Sequence, residues 1–110
     1  MAVLICVAAG IRPIVTSSSD EKIAKLKEIS PTIEGINYKT SDVKARTLEL
    51  TDGKGVDFLI NNVGLSSLPE DLELIRKTGI IAFLGFLGGF EADFDPKLIF
   101  TVLLKACRIQ

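Results

Sequence analysis

Few residues in this chain have side chains able to do chemistry. Ser17, Ser18 and Ser19 stand in a row shortly before Lys22. Asn61-Asn62-Val63-Gly64 closes one apolar run, and Phe86-Leu87-Gly88 follows another. Glu91, Asp93 and Asp95 alternate through a Phe-containing segment, and Cys6 and Cys107 lie near opposite ends. There is no His. That removes the commonest general base, the commonest zinc ligand and every Ser-His or Cys-His nucleophile pair. The three acids have no second donor cluster to make a metal site. Asp95 before Pro96 reads as a helix N-cap, and Glu91 and Asp93 read as exposed charges. Binding is the chemistry that remains. Asn62, Val63, Gly64, Phe86 and Leu87 fall where two apolar strands end, the place where parallel sheets take small molecules. The same residues read equally as tight turns with Phe86 and Phe90 filling core.

The elements that must position them alternate between two periods. Pro13 to Thr16 is a short β-branched run and predicts a strand. Ser18 and Glu21 fit a capping box for the next helix, whose apolar face is Ile23, Leu26 and Ile29 and which ends at Pro31. Gly35 to Tyr38 predicts a strand, and Asp42 to Thr51 a polar helix closed by the turn Asp52-Gly53-Lys54-Gly55. Val56 to Ile60 is nearly all apolar, the pattern of a strand buried on both faces. Ser67 and Glu70 fit a second capping box, with Leu68, Leu72 and Ile75 as the helix face and Gly79 as its stop. Ile80 to Leu84 predicts the most hydrophobic strand. Lys97 to about Ala106 predicts a helix burying Leu98, Ile99, Val102 and Leu103, and Arg108 to Gln110 starts a last strand. Met1 to Gly10 reads as an apolar helix ending at Gly10. Strands alternating with helices mean βαβ units and a parallel sheet.

The chain has 110 residues, the size of a single domain, here residues 1–110. Hydrophobic residues make up 47% and charged residues 25%, which suits a packed fold and not a disordered one. The mean hydropathy of +0.38 is high. The longest uncharged stretch, Thr78 to Phe90, is nevertheless too short and too Gly-broken to span a bilayer. No membrane partner is expected, and the surplus apolarity belongs in a buried sheet or a subunit interface. With 13 basic and 14 acidic residues there is no field to attract a phosphate backbone, so no nucleic-acid partner is expected either. Met1 to Ile11 resembles a signal h-region but lacks a basic n-region. A cytoplasmic protein with two buried reduced thiols is the expectation, although a disulfide also fits the composition.

Several segments keep an order and spacing that belong together. They are Val7 to Lys22 (VAAGIRPIVTSSSDEK), Ile36 to Lys39, Leu48 to Phe58 (LELTDGKGVDF), Asn62-Val63-Gly64, Gly79 to Gly89 (GIIAFLGFLGG) and Leu103 to Gln110 (LLKACRIQ). The set resembles the nucleotide-binding half of medium-chain dehydrogenase/reductases, the branch of zinc-type alcohol dehydrogenases and quinone reductases. The resemblance covers nearly the whole chain. It implies an α/β, Rossmann-like three-layer sandwich with about four or five mostly parallel strands. The usual first strand and its Gly-rich pyrophosphate turn would precede the helix ending at Gly10. No GxGxxG occurs here, and the zinc ligands of the family's substrate domain have no counterpart. The expectation is a truncated cofactor domain without zinc. Because the missing strand is central in the family's sheet, Pro13 to Ser17 must pair with Val56 to Ile60, or another chain must fill the gap.

What the resemblance implies for binding follows residue by residue. Ser17, Ser18 and Lys22 would receive the adenosine 2′-phosphate of NADP, and Tyr38 would lie beside the adenine or that phosphate. Asn62, Val63, Gly64, Phe86 and Leu87 would face the nicotinamide and its ribose. The last strand would pair with its symmetry mate in a homodimer. The function expected is an NADP-binding domain derived from an oxidoreductase, without complete hydride-transfer machinery. The alternatives are a small-molecule-binding protein, a cofactor-independent isomerase or cyclase, or a non-catalytic subunit on the same scaffold. Tyr38 and Lys39 lack the Tyr-x-x-x-Lys spacing of short-chain dehydrogenases, so that mechanism has no support.

Overall fold

A computed structural model describes all 110 residues, Met1 to Gln110. The elements run α1 (Ala2–Ala8), β1 (Ile14–Ser17), α2 (Asp20–Ile29), β2 (Glu34–Asn37), α3 (Val43–Leu50), β3 (Val56–Asn61), α4 (Leu68–Leu74), β4 (Ile75–Phe83), α5 (Leu98–Lys105) and β5 (Arg108–Ile109). A 3-10 turn, Leu65–Ser67, precedes α4. Every strand pair is parallel, as the βαβ alternation requires. No helix is long and apolar enough to cross a membrane.

The chain forms two compact units, Met1–Arg46 and Thr47–Gln110. In the first, β1 pairs with β2 from Ile14↔Glu34 to Ser17↔Asn37, and α2 is the crossover that packs on both. Ile23, Ile33 and Ile36 are its buried aliphatic side chains. Gly35 is what lets α2 approach: a Cβ there would stand 2.1 Å from Ile23 Cγ2. Asp20 and Glu21 favour the N-terminal end of α2 electrostatically and Lys27 the C-terminal end.

In the second unit β4 is the middle strand, between β3 and β5. Leu68, Leu72, Ile75 and Ile81 form the core, flanked by Val56, Leu59, Phe83, Leu98, Val102 and Cys107. Each such side chain removed from water contributes about 1.5–3 kcal/mol. α4 and α5 both pack on β4. Lys105 Nζ reaches from α5 to the carbonyl oxygens of Leu72 and, at 2.8 Å, Ile75. It thereby satisfies two acceptors at the C-terminal end of α4, where helix carbonyls have no partner of their own.

Several expectations change. The five strands form two sheets, of two and three strands. Pro13 to Ser17 does not pair with Val56 to Ile60: β1 pairs with β2 alone and β3 with β4 alone. β3 is not buried on both faces: Leu59 packs on the core, while Phe58 is 51% and Ile60 40% exposed. Ser18 does not cap α2. Ser19 does, its hydroxyl accepting from Lys22 N at 3.3 Å. Gly79 does not stop α4, which ends at Leu74. Arg76 to Gly79 instead loop out of register between the Val56↔Ile75 and Phe58↔Ile80 pairs, with Thr78 left-handed at φ 64°. α5 presses Leu98 and Val102 onto the core, but Ile99 and Leu103 are exposed, because only one side of the helix meets the sheet. Cys6 and Cys107 are free, half-buried thiols.

Candidate functional site

In the first unit the polar residues singled out from sequence converge on one end of the sheet. The pairing Ser17↔Asn37 sets the C-terminal ends of β1 and β2 side by side, and Tyr38 N donates to Ser17 O at 3.1 Å. The Ser17 hydroxyl accepts from Ser19 N at 3.2 Å, and Ser19 caps α2. Asn37 Nδ2 donates to Asp20 Oδ1 at 3.0 Å, and Asn37 Oδ1 accepts from Lys39 N at 3.0 Å. These bonds fix the turn using Ser17, Ser19 and Asn37. Ser18, Lys22 and Tyr38 remain exposed at its rim, offering two hydroxyls, an ammonium group and the start of a ten-residue helix. Donors and positive charge of this kind suit an anion.

In the second unit the loops after β3 and β4 lie together. Leu84 N donates to Asn61 O at 2.9 Å, Leu87 N to Asn62 O at 2.9 Å and Gly88 N to Val63 O at 2.8 Å. The two loops are therefore stitched to each other, and the crevice expected between Asn62 and Phe86 is a joined surface. On it stand Asn62, Val63, Phe86 and Leu87, all exposed, with Phe86 stacked on Phe90 at 5.0 Å between ring centroids. Gly64 lies beneath them at φ 116°. Only Gly is at ease with such a backbone, and a Cβ there would meet Gly89 O at 3.0 Å and the Phe86 ring at 3.1 Å.

Sequence reading placed Asn61 at the strand end and Ser67 in a capping box; Ser67 makes no side-chain cap bond to α4, and with Asp71 the two instead hold this turn. Asn61 is 3% exposed. Its Oδ1 accepts from Val63 N and Gly64 N, both at 2.8 Å. Its Nδ2 faces Ser67 Oγ at 2.8 Å, Gly64 O at 3.2 Å and Asp71 Oδ2. Ser67 Oγ in turn donates to Gly64 O at 3.1 Å. Burial pushes the Asp71 carboxyl from its ordinary 3.8 up to about 6; the Asn61 bond opposes this, Glu70 adds to it, and the Ser67 bond opposes it. A signal for Asp71 existed: it lies on the α4 face of Leu68 and Leu72, where a lone acid among apolar residues needs a partner, while Ile75, expected on that face, begins β4. Elsewhere, a hollow of about 240 Å³ lined by Val7, Ile11, Arg12, Ser30, Thr32 and Glu34 opens at the opposite end of β1 and β2 from the serines.

Residues 1–110 match the family model described as zinc-binding dehydrogenase. The chain belongs to that family. A zinc-type alcohol dehydrogenase-like protein of Schizosaccharomyces pombe is 38% identical over 81 residues, 73% of this chain and 23% of that protein. The crystal structure of 2-haloacrylate reductase superposes with a TM-score of 0.84 at 28% identity, over 98% of this chain and 33% of its own. Quinone oxidoreductase from Escherichia coli, crystallised in complex with NADPH, shares the fold with a TM-score of 0.82 at 21% identity, over 99% of this chain and 32% of its own. The chain thus spans a quarter to a third of the length of the relatives it matches. Together they establish a Rossmann-like α/β domain of the medium-chain dehydrogenase/reductase type, related to oxidoreductases.

The family's name raises the question of zinc, and these residues do not fit the metal. No group of three His, Cys, Asp or Glu side chains is placed to hold an ion. The two thiols stand in different units, Cys6 in the first and Cys107 in the second. A catalytic zinc needs three protein ligands. No step through zinc is derived from this chain.

Proposed function

We propose that this chain is the NADP-binding portion of an oxidoreductase. In the first unit, Ser18 and Lys22 receive the 2′-phosphate, with Ser17 shaping the turn and Tyr38 beside the adenine. In the second, the surface formed by Asn62, Val63, Gly64, Phe86 and Leu87 faces the nicotinamide. The observation that carries this reading is the convergence of Ser18, Lys22 and Tyr38 at the paired ends of β1 and β2 in a member of a dehydrogenase family. A 2′-hydroxyl is usually recognised by an acid at this place. Here the end of β1 carries Ser17 and Ser18, and Asp20 is engaged with Asn37.

The test is a calorimetric titration with NADPH and NADH. NADPH binds in the micromolar range and NADH more weakly. Lys22→Ala raises the NADPH dissociation constant about tenfold and leaves NADH unchanged, the effect of one charge-assisted contact. No NADPH binding at millimolar concentration ends the reading.

We also propose a cytosolic homodimer joined along β5. That strand is the edge of its sheet, and α5 beside it exposes Phe100, Leu103 and Leu104. An unpaired edge invites a partner strand, and a two-fold contact closes after two copies. Sedimentation velocity should give a dimer at micromolar concentration, and a chain ending at Lys105 should be monomeric. A monomeric intact chain, or a dimer indifferent to the truncation, overturns this edge as the interface.

A further inference from the structure

We propose that Asp71 is a positioning residue that, by orienting the side-chain amide of Asn61, sets the conformation of the Val63–Gly64 turn that carries the residues assigned to the nicotinamide. The inference rests on the NADP reading of that turn, but it makes a claim about the turn that can be tested without any ligand.

The argument starts from the symmetry of an amide. The two ends of an Asn side chain have nearly the same shape, so packing alone does not choose which end points where. Asn61 is buried between two demands. On one side lie the N–H groups of Val63 and Gly64, which need an acceptor. On the other lies the Asp71 carboxylate, which needs a donor. Only one orientation meets both: oxygen toward the turn, nitrogen toward Asp71. The reversed amide would set N–H against N–H at the turn and oxygen against oxygen at Asp71. The carboxylate is what makes the reversed state costly on the far side, since Ser67 can either donate or accept. No buried polar side-chain atom of the chain lacks a partner in the observed orientation.

The orientation then propagates to backbone. With Oδ1 holding two successive amides, Gly64 is drawn into its positive-φ conformation, and Val63 O is left pointing to Gly88 N. The loop carrying Phe86 and Leu87 is thus anchored on the turn that Asn61 shapes. Asp71 touches none of the residues assigned to the nicotinamide; it acts on them through Asn61.

The charged groups around Asp71 are few. Glu70 on its own helix raises its carboxyl, while Asn61 from β3 and Ser67 do not titrate in this range. Lys105 from α5 is committed to the Leu72 and Ile75 carbonyls, and Arg76 of β4 pairs with Asp57. A titration at Val63 and Gly64 in the mildly acid range therefore reports Asp71.

The experiment is NMR on the intact chain from about pH 4 to about pH 8, following the Asp71 carboxyl carbon and the Val63 and Gly64 amides. The expected result is that both amides shift with the carboxyl's midpoint and that Asp71→Asn abolishes the transition. Asp71→Asn can accept from Asn61 or, with its own amide reversed, donate to it, so it no longer fixes the orientation and speeds exchange at both amides, by less than Asp71→Ala does. Asp71→Ala speeds exchange at Val63 and Gly64 and weakens NADPH, each about tenfold, the equivalent of one lost polar contact. A carboxyl that titrates with the two amides unmoved overturns the proposal, as does an Ala variant with exchange unchanged. Should the Ala variant fail to fold, the wild-type titration decides alone. If NADPH does not bind the wild type, the NADP reading fails while the amide measurements still judge Asp71.

Discussion

β1 and β3 both end in a polar turn that hands the chain to a helix, and the two turns are built in opposite ways. After β1, Ser17 and Ser19 bond within three residues and Asn37 bonds Lys39 and, across the two strands, Asp20, all at the edge of water. After β3, Asn61 reaches two backbone amides, a hydroxyl and a carboxylate, and its side chain and Asp71 are buried. A change in the first turn alters one or two bonds and is softened by solvent. The second is a network in which removing one member strands several others, because a buried donor or acceptor without a partner costs about 1–3 kcal/mol. Stability and ligand recognition are therefore separable at the serine turn and coupled at the asparagine turn.

The largest effect expected from this contrast is at Asn61. Asn61→Leu leaves the Val63 and Gly64 N–H groups and the Asp71 carboxylate without their partner, and the loss of folding stability should be about 3 kcal/mol or more. Urea denaturation measures it. A loss below about 1 kcal/mol would mean that water replaces the amide easily and that the network is no more than a set of surface bonds.

How far the sequence disclosed these two turns differs in the same way. The capping half of the serine turn is legible to within one position, Ser19 in place of Ser18, because capping is a local rule carried by adjacent residues. The Asn37–Asp20 bond is not, because it joins residues seventeen positions apart across the sheet. The βαβ alternation and all five strands were legible from hydrophobic period. The buried network was not, because it joins Asn61 to a residue ten positions on through a turn whose shape is set by Gly64. Its trace, an acid on the Leu68–Leu72 face of α4, calls for a partner but does not name one. Gly79, two residues after Lys77, looks like the stop of α4, but the helix ends where Ile75 turns extended, and Lys105 takes up the Leu72 and Ile75 carbonyls there. The exposure of Phe58, Ile60 and the outer side of α5 was illegible for a third reason: apolar residues record that a face is made to be covered, and this chain covers only part of it.

The second effect is the pH dependence of stability. In the unfolded chain the Asp71 carboxyl has its ordinary value of 3.8, and in the folded chain it is raised to about 6. Between those values the folded state holds the proton that the unfolded state has released, so stability falls as pH rises and levels off above about pH 6. The difference between 3.8 and about 6, at about 1.4 kcal/mol per pH unit, amounts to on the order of 3 kcal/mol for this residue. Neighbouring surface carboxylates vary with pH as well, so the comparison is with Asp71→Asn, which should be stabilised relative to wild type at pH 8 and much less so at pH 4. Equal differences at the two pH values would return Asp71 to the exposed class of the serine turn.

The smallest effects lie in the serine turn, and they sharpen the comparison most. Ser19 and Ser18 are adjacent, chemically identical and both near water, yet only Ser19 Oγ accepts the Lys22 N–H. Ser19→Ala should cost about 1 kcal/mol, the usual value of an N-cap, and it should change NADPH affinity only through the fraction folded. Ser18→Ala removes no bond that holds the turn, so stability should stay within about 0.5 kcal/mol of wild type. If Ser18 contacts the 2′-phosphate as proposed, its loss should weaken NADPH several-fold, roughly 1 kcal/mol, without touching NADH. Thermal melts and two cofactor titrations on the pair of variants suffice. A crossed result, with Ser18→Ala destabilising and Ser19→Ala weakening NADPH, would show that the serine turn is coupled in the way the asparagine turn is.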